Sequence, residues 1–455
     1  MTTPSPADRS ESSRRSFFGR SFTSASAALL AAGFVPRTAG SAQEPGAGDA
    51  VPRAGRHIVI ASQTGAKLDS HVETGGGTDD TAILQSVLDK AVEWGSLHLI
   101  MDGAALTAGL RVHSNTTIQC LNPACGFFHK ANTNKPVLCN ARPRVYGERL
   151  DKNITLLGGT YNNNCREQVH HYDLDETQRE TAPSCFGETR WNITLEFFGV
   201  ENFTMRDVTI RDQRTFSMLM GNFYRATLEN IYIDCPNSTD AENQDGLHFN
   251  GNVRNGKVSN IYALSKGQTN DDLIALNADD SMARVENLGM ECGDIENITF
   301  ENIYAEDCHT LVRMLSVDSA IRNIRFKNLE AGCRCYAVNC DAARYCRTPL
   351  FREDDRPGGV GNIENVIFED MTVHMTADRG DSPMIILECS AENLRFNGFA
   401  RPREKDVSPK SPAFTARNVV GMKVRADGGE YTARGKGDVI SLDGFGELCV
   451  CREGK

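Results

Sequence analysis

Three aspartates stand in two similar local settings near the middle of the chain. Asp245 precedes the short stretch of residues 247–249, and the pair Asp271 and Asp272 precedes the apolar residues 273–276. Asp271 follows Asp245 by 26 residues. Carboxyl groups that lie close together resist simultaneous ionisation, so the pKa of at least one of them rises. A protonated and an ionised carboxyl group side by side are what hydrolysis of a glycosidic bond requires.

These acids can act together only if the fold brings them together, and a repeat in the sequence gives a reason to expect this. A short pattern of alternating apolar and polar residues recurs, as in NITFENIYA and NIRFKNLEA, with intervals in the twenties and occasional insertions. Such a period indicates stacked structural repeats, and the alternation is typical of strands. The copies begin at Asn202, Arg225, Asn255, Asn297, Asn323, Asn365 and Asn393.

The repeat predicts an all-β fold, a single right-handed parallel β-helix. The units are too short for strand–helix–strand repeats, and the asparagine, aspartate and glycine residues at their ends tolerate the bends between strands. The alternative is a β-sandwich, but the Asn-Gly hairpin turns that would join its strands are scarce. We expect the core coils over residues 75–399, within a domain of residues 43–455 that ends in a C-terminal extension.

Residues 78–95 predict an amphipathic helix ahead of the coils. Asp79 and Asp80 precede apolar residues at helical spacing, and an aspartate side chain there is suited to cap the first turn. The open end of a β-helix exposes strand edges and apolar core, and a helix over that end covers both. We therefore expect an N-terminal capping helix.

In coils of this period, Asp245 and Asp271 lie at the same angular position on neighbouring coils, and Asp272 shares their patch. The alternative for each aspartate is a structural role at a coil corner, where its side chain bonds to its own backbone. We assign that structural role to Asp279 and Asp280, just beyond the cluster. A calcium site is a third interpretation of the cluster, because carboxylates bind calcium.

Over residues 75–399 the chain resembles the polygalacturonase family, glycoside hydrolase family 28, and related pectin-active β-helix proteins. GTDDTAILQSVLDKA is similar to the family's Asp-Asp-Thr-capped helix, NQDG looks like its Asn-Thr-Asp-Gly motif, and NDDLIA looks like its Asp-Asp-Cys-Ile-Ala segment. The resemblance implies that Asp271 is the general acid and that Asp245 and Asp272 hold and deprotonate the attacking water. It also implies inversion at the anomeric carbon, with the acid and base far enough apart to admit water.

Two departures from the family's pattern concern the remaining candidate residues. The family's Gly-His-Gly motif corresponds here to CHTL, which keeps only His309, and the Arg-Ile-Lys triplet that grips the substrate carboxylate is absent from the sequence. Arg334 is the nearest cation by position, whereas Arg313 and His248 alternate with apolar strand residues and should point outward. We predict a catalytic role for His309 and substrate binding by His248, Arg313 and Arg334. For His309 and Arg313 a solvated surface position is the alternative.

Charge and targeting signals limit the partners. The net charge is −11 and no long basic run is present, so nucleic acid is not an expected partner. SRRSFF, a weakly apolar stretch and the small residues 40–42 predict a twin-arginine secretion signal over residues 1–42, with a disordered tail as the alternative. We expect export to the periplasm or the extracellular space and no membrane-spanning segment. The oligomeric state stays open.

Fifteen cysteines are an odd number, so at least one has no partner within the chain. Cys333, Cys335, Cys340 and Cys346 crowd one stretch, but without paired CxxC knuckles they favour buried thiols or disulfides over zinc. We expect the polar insertion that contains the pair His170–His171 to line one wall of a cleft. Trp191 is a candidate to stack on a sugar ring, with a structural role as the favoured alternative. We predict no metal and no cofactor.

The function most consistent with these features is hydrolysis of glycosidic bonds in a pectic or other acidic polysaccharide. Two alternatives stay open. A calcium-dependent polysaccharide lyase on the same fold would need a base and a neutralised uronate carboxylate. A non-catalytic carbohydrate-binding β-helix would show no activity, and its aspartates would matter only for stability.

Overall fold

The structure is a computed structural model that describes residues 57–133, 135–168, 192–238, 243–280, 286–287, 289–341, 360–435 and 437–454. These residues belong to one unit, Ala54–Lys455. Several features predicted from the sequence lie outside the described residues: the secretion signal, the pair His170–His171, Trp191 and Cys346.

Strands make up about 53% of the structure and helices about 6%. The first strands are β1 (His57–Ile60), β2 (Leu97–Met101), β3 (Ala104–Thr107), β4 (Leu110–Val112), β5 (Thr116–Cys120), β6 (Gly126–His129), β7 (Leu138–Asn140), β8 (Asp151–Leu157) and β9 (Thr160–Asn162). The middle strands are β10 (Leu195–Phe198), β11 (Val200–Arg211), β12 (Met218–Gly221), β13 (Tyr224–Asp234), β14 (Leu247–Phe249), β15 (Arg254–Ala263), β16 (Asp272–Asn277), β17 (Glu286–Asn287), β18 (Met290–Glu291), β19 (Ile295–Leu315) and β20 (Ile321–Cys340). The last strands are β21 (Ile363–Met375), β22 (Ile385–Leu387), β23 (Ala391–Ala400), β24 (Phe414–Arg417), β25 (Met422–Ala426), β26 (Gly429–Ala433), β27 (Val439–Leu442) and β28 (Glu447–Arg452). Helix α1 spans Thr81–Trp94, and short 3₁₀ turns occupy Ala61–Thr64 and Cys165–Glu167.

The strands stack in parallel from one coil to the next. A front sheet consists of β10, β12, β14, β16, the second halves of β19 and β20, β22 and β24. A second sheet consists of β8, β11, β13, β15, the first halves of β19 and β20, β21 and β23. This arrangement confirms the predicted right-handed parallel β-helix. After β24 the described pairings turn antiparallel, and β25 to β28 pack on the last coil.

The asparagines that begin the sequence repeat occupy the coil corners. All the predicted repeat starts have positive φ values, from 52° to 63°. Asparagine tolerates this left-handed conformation better than most residues. The stacked side chains also bond to one another, as where Asn297 Nδ2 donates to Asn255 Oδ1 at 3.1 Å and Asn323 Nδ2 donates to Asn297 Oδ1 at 3.0 Å. The asparagines of the repeat therefore have two roles: they adopt the positive φ of the corners, and their side chains form hydrogen-bonded ladders along the coils.

The inside of the coils is apolar and in register. One position of the second sheet carries Phe300, Phe326, Phe368 and Phe396 on successive coils, all fully buried, with ring centroids 4.5 to 4.7 Å apart. Because alternate strand residues point to opposite faces, the residues between these phenylalanines point outward. The same alternation on the front sheet determines which of its side chains point outward, away from the core.

Helix α1 packs its apolar stripe on the core at the N-terminal end of the coils, as predicted. The buried residues of this stripe are Leu84, Val87, Leu88 and Ala91. The predicted cap is different. Asp80 occupies the N-cap position, but its carboxylate accepts hydrogen bonds from the N–H groups of Lys67 at 2.8 Å and Leu68 at 2.9 Å. Asp79 instead accepts the N–H of Thr81 at 3.0 Å. The Asp80 carboxylate is therefore bonded to the segment that precedes the helix, and it makes no capping bond to the first turn.

Candidate active site

The candidate site lies on the outer face of the front sheet, where β14, β16 and β19 are neighbours. Leu247, Ile274 and Val312 align across these strands and point into the core. The next residues along each strand therefore point outward, and they include His248 and Arg313. This outward direction is the one that strand alternation predicted for both.

The register between β14 and β16 places Asp245 beside a different aspartate from the one predicted. The 26-residue interval placed Asp245 beside Asp271. In the structure Leu247 pairs with Ile274, so Asp245 lies beside Asp272, and the N–H of Gly246 donates to the carbonyl of Asp272 at 2.8 Å. The prediction is wrong by one residue, because a period read from sequence does not resolve where each strand begins.

The three carboxyl groups line one pocket of about 180 Å³. Asp245 is 2% exposed and Asp272 is 6% exposed, whereas the side chain of Asp271 is 29% exposed. One oxygen of Asp245 and one of Asp272, the Oδ1 atoms, are buried without a hydrogen-bond donor from the described residues. The cluster predicted from the sequence is therefore formed, with Asp271 as its most accessible member.

The three carboxyl groups have different environments, which raise the pKa values of two of them and lower the pKa of the third. Burial, with the negative charges of Asp271 and Asp272, raises the pKa of Asp245 well above its usual value. Burial and the charge of Asp271 raise the pKa of Asp272 to about 7. Burial also acts to raise the pKa of Asp271, but the hydrogen bond from His309 and the positive charge of His309 outweigh it and lower that pKa. These shifts favour the ionised form of Asp271 and the protonated forms of Asp245 and Asp272.

His309 lies on the coil after Asp271, at the register position that faces it. Its Nδ1 atom is 3.5 Å from Asp271 Oδ1. Burial acts to lower the pKa of His309, but hydrogen bonds to Asp271 and to Cys335 raise it to about 10. His309, Asp271 and Asp272 present ligand atoms within 4.8 Å of one another, as a metal site would need. The raised pKa favours the imidazolium form of His309, which faces the Asp271 carboxylate, whereas a metal ligand would need the neutral ring.

His248 is held inside the site rather than displayed on its surface. It is 4% exposed, and its Nδ1 atom is 2.6 Å from Asp245 Oδ2. Its ring stacks on Phe216 with centroids 4.7 Å apart, and its Nε2 atom is 3.4 Å from Asn277 Nδ2. Burial lowers the pKa of His248 to about 3, so the ring is neutral. These contacts suit a residue that fixes Asp245 more than one that binds substrate.

Arg313 is also covered. Its guanidinium lies 3.7 Å from Asp272 Oδ2 and 2.9 Å from Asp341 Oδ1, and both Arg313 and Asp341 are buried. The alternative of a solvated strand residue is therefore wrong for Arg313. The guanidinium faces the same pocket as the three carboxyl groups, where it offsets part of their charge.

Arg334 lies apart from the carboxyl groups, in a second pocket of about 700 Å³. Its guanidinium donates to the carbonyls of Asp307 at 2.8 Å and Thr269 at 3.0 Å. His309 and the exposed Lys266 line the same pocket. His309 lines the larger pocket and lies 3.5 Å from Asp271, which lines the smaller one. The seven predicted site residues therefore line two neighbouring pockets, which we call the cleft.

Three residues of this cleft were missed from the sequence: Phe216, Asn277 and Asp341. Phe216 and Asn277 hold His248, and Asp341 holds Arg313. The signal for these two residues was weak: Asn277 is the last residue of the front-sheet strand β16, and Asp341 directly follows β20. Asp279, by contrast, has the structural role assigned to it, since its carboxylate accepts the N–H groups of Val317, Asp318 and Ser319.

Comparison with known proteins supports the fold. No protein-family model matches the chain, and no curated protein matches it. Among solved structures, the surface adhesin PfbA of Streptococcus pneumoniae has 12% sequence identity and a TM-score of 0.50, over 85% of this chain and 98% of that chain. The family 28 exopolygalacturonase of Yersinia enterocolitica has 12% identity and a TM-score of 0.49, over 80% and 78%. The A-module of the mannuronan C-5 epimerase of Azotobacter vinelandii has 14% identity and a TM-score of 0.49, over 79% and 91%.

The chain is a right-handed parallel β-helix protein whose structural neighbours include family 28 polygalacturonases. At this level of identity the likeness shows the fold alone. A fold does not determine function, so the function has to be argued from the site. No helix among the described residues has the length and hydropathy to cross a bilayer.

Proposed function

We propose that the protein is an inverting glycoside hydrolase that acts on an acidic polysaccharide. The observation that carries this proposal is the split of pKa values among three carboxyl groups in one pocket, with Asp271 ionised and the pKa values of Asp245 and Asp272 raised. Groups whose environments push their pKa values apart are the usual basis for acid and base roles in glycosidases. A purely structural set of corner aspartates would bond to backbone N–H groups, as Asp279 does.

The arrangement supports a division of roles close to the one the resemblance implies. Asp271 is the most exposed member and is the group that can touch the leaving oxygen. It directly precedes Asp272, the buried group whose pKa is raised to about 7. In this proposal the proton of Asp272 moves to the ionised Asp271, which transfers it to the leaving oxygen, so Asp272 ends ionised. The resemblance named Asp271 as the acid, and the electrostatics add Asp272 as its proton store.

Asp245 supplies the base in this proposal. Its Oδ1 atom faces the pocket without a donor among the described residues, and His248 holds its other oxygen. A raised pKa makes an ionised carboxylate a stronger base toward water. Asp245 and Asp272 are neighbours with raised pKa values, so their protons leave in two steps that belong to the pair. The active form in this proposal has one proton, carried by Asp272. Turnover moves one proton onto Asp245 from water and one proton from Asp272 to the leaving group.

An acidic substrate fits the larger pocket. Lys266, the His309 imidazolium and Arg334 line it, and Asp307, 3.5 Å from Arg334, offsets part of their charge. Charge-assisted hydrogen bonds from such groups are suited to uronate or sulfate groups. The missing Arg-Ile-Lys triplet leaves the identity of the sugar open.

We also propose export by the twin-arginine route. The mass of the protein recovered outside the cytoplasm would then correspond to loss of about residues 1–42.

The test is a panel of pectic and other acidic polysaccharides, incubated with the protein with chelator or with calcium. We expect new reducing ends that persist in chelator and are lost in Asp271→Asn. Glu301→Gln, a surface carboxylate on the second sheet near Lys327, is the matched control and should keep full activity. Unsaturated products that require calcium would replace the proposal with a lyase. Binding without new ends would indicate a non-catalytic β-helix.

A further inference from the structure

Three pairs of buried cysteines join neighbouring coils beside the candidate site. In each pair the thiol of one cysteine raises the pKa of the other, and the structure holds all six as thiols. The pairs are Cys165 with Cys235, Cys308 with Cys333, and Cys340 with Cys389. We propose that these pairs are disulfide sites, and that an oxidising environment converts each to a cross-link between coils.

The backbone positions suit disulfides. Cys308 and Cys333 are direct partners in the parallel ladder between β19 and β20. Parallel neighbours are about 4.8 Å apart, inside the range of about 4.4 to 6.8 Å that disulfides require between Cα atoms. Cys340 pairs with Leu387, the last residue of β22, and the N–H of Glu388 donates to the carbonyl of Cys340 at 2.7 Å. Cys389 follows directly, where the chain leaves the ladder in a bend. The thiols of Cys165 and Cys235 lie within 4.8 Å of each other.

A metal site is the competing interpretation for Cys165 and Cys235, because Asp212 lies within the same 4.8 Å. The Asp212 carboxylate is already engaged, however, since it accepts the N–H of Asn237 at 3.0 Å, the Asn237 side-chain amide at 2.9 Å and the Asn162 amide at 3.3 Å. The neighbouring thiol of Cys165, together with burial, raises the pKa of Cys235. Neutral thiols are poor metal ligands, so the site favours an S–S bond.

Each pair is close to a residue of the cleft. Gln244, the neighbour of Asp245, donates to Cys235 Sγ at 3.3 Å. Cys308 and Cys333 directly precede His309 and Arg334. A cross-link at these positions would hold the coils that carry the site in one register.

The third pair has the same relation to the site. Cys340 directly precedes Asp341, whose carboxylate pairs with Arg313. All three cross-links would therefore fix backbone within one or two residues of a cleft side chain or its partner. This consequence depends on where the site lies, but the proposal of the cross-links does not depend on the proposed activity.

The chemistry requires an external oxidant. Each pair of thiols loses two protons and two electrons to a small-molecule or protein disulfide, which is reduced to two thiols, by way of a mixed disulfide. Burial and a raised pKa slow the attack of a thiol. We therefore expect the bonds to form while the chain folds in the presence of the oxidant, rather than after the coils have closed.

The test is peptide mapping of the full-length protein without reduction. The protein is refolded in a buffer of oxidised and reduced glutathione, unfolded, alkylated and digested, and the linked peptides are identified by mass spectrometry. We expect the three stated linkages, protection of those six cysteines from alkylation, and a lower unfolding midpoint after reduction. Cys308→Ser should remove only the link to Cys333, and Cys335→Ser, a buried neighbour outside the pairs, should leave all three.

Three results would count against the disulfide proposal in whole or in part. Alkylation of all six cysteines in the unreduced protein would overturn the proposal, as would linkages that join other partners. Release of one equivalent of metal on unfolding, with Cys165 and Cys235 free, would assign that pair to a metal site instead. If Cys308→Ser does not fold, the map of the wild-type protein decides by itself.

Discussion

Asp272→Asn should make the protein inactive but more stable at alkaline pH. The pKa of Asp272 is raised from the usual 3.8 to about 7 by burial and by the charge of Asp271. A carboxyl group with a raised pKa in the folded state binds its proton more tightly when folded. It therefore costs folding stability increasingly as pH rises from about 4 to about 7, and the cost is constant above that.

The structure sets the size of this effect. One pKa unit corresponds to about 1.4 kcal/mol. Between pH 5 and pH 8 the difference in proton affinity of Asp272 between folded and unfolded chains amounts to about two units, or at most about 3 kcal/mol. Asparagine has the shape of the protonated acid and never ionises. The advantage of the variant over the wild type should therefore grow by up to that amount from pH 5 to pH 8.

The assay is the unfolding midpoint of both proteins at the two pH values, followed by circular dichroism. Asp279→Asn is the matched control, because Asp279 is equally buried but its carboxylate accepts the N–H groups of Asp318 and Ser319. That variant should lose about 1–3 kcal/mol for the missing bonds. A destabilised Asp272→Asn at pH 8 would refute the reasoning, because it would show that the ionised carboxylate is well paired in the folded protein.

Three further substitutions test other parts of the structure. His248→Leu should lower kcat roughly 10- to 100-fold with little change in KM, because Asp245 loses a hydrogen bond worth about 1.5–3 kcal/mol; a rise in KM alone would instead indicate substrate contact. Arg313→Met should cost about 3–5 kcal/mol in urea unfolding, because it leaves the buried Asp341 carboxylate without its ion pair; an unchanged midpoint would contradict the pairing. Phe326→Ala should cost about 3–5 kcal/mol by opening a cavity in the phenylalanine stack, whereas Tyr304→Ala, at an exposed position, should cost much less.

The coil fold was predictable because its backbone imposes a requirement on the sequence. Each coil corner takes a positive φ, asparagine satisfies it, and the side chains stack from coil to coil. Any copy of the repeat therefore indicates a corner, and several copies indicate the coil. The apolar alternation between corners gives the direction of each side chain, including those of His248 and Arg313.

The details of the site were less predictable, because they depend on contacts between coils. A shift of one residue between β14 and β16 placed Asp245 beside Asp272, and a repeat period cannot resolve such a shift. The burial of Arg313 depends on Asp341, which a different coil supplies. His248 is covered by Phe216 from the preceding coil. In each case the partner is distant in sequence and carries no motif of its own.

The most direct test of the central claim is digestion of an active polysaccharide in water enriched in ¹⁸O. Hydrolysis with Asp245 as the base predicts one solvent oxygen at each new reducing end, measured by mass spectrometry before the end exchanges with water. Asp245→Asn, Asp271→Asn and Asp272→Asn should each abolish the labelled product, and Glu301→Gln should not. Cleavage that yields unsaturated ends without solvent oxygen, or labelled product that survives in all three variants, would contradict the account.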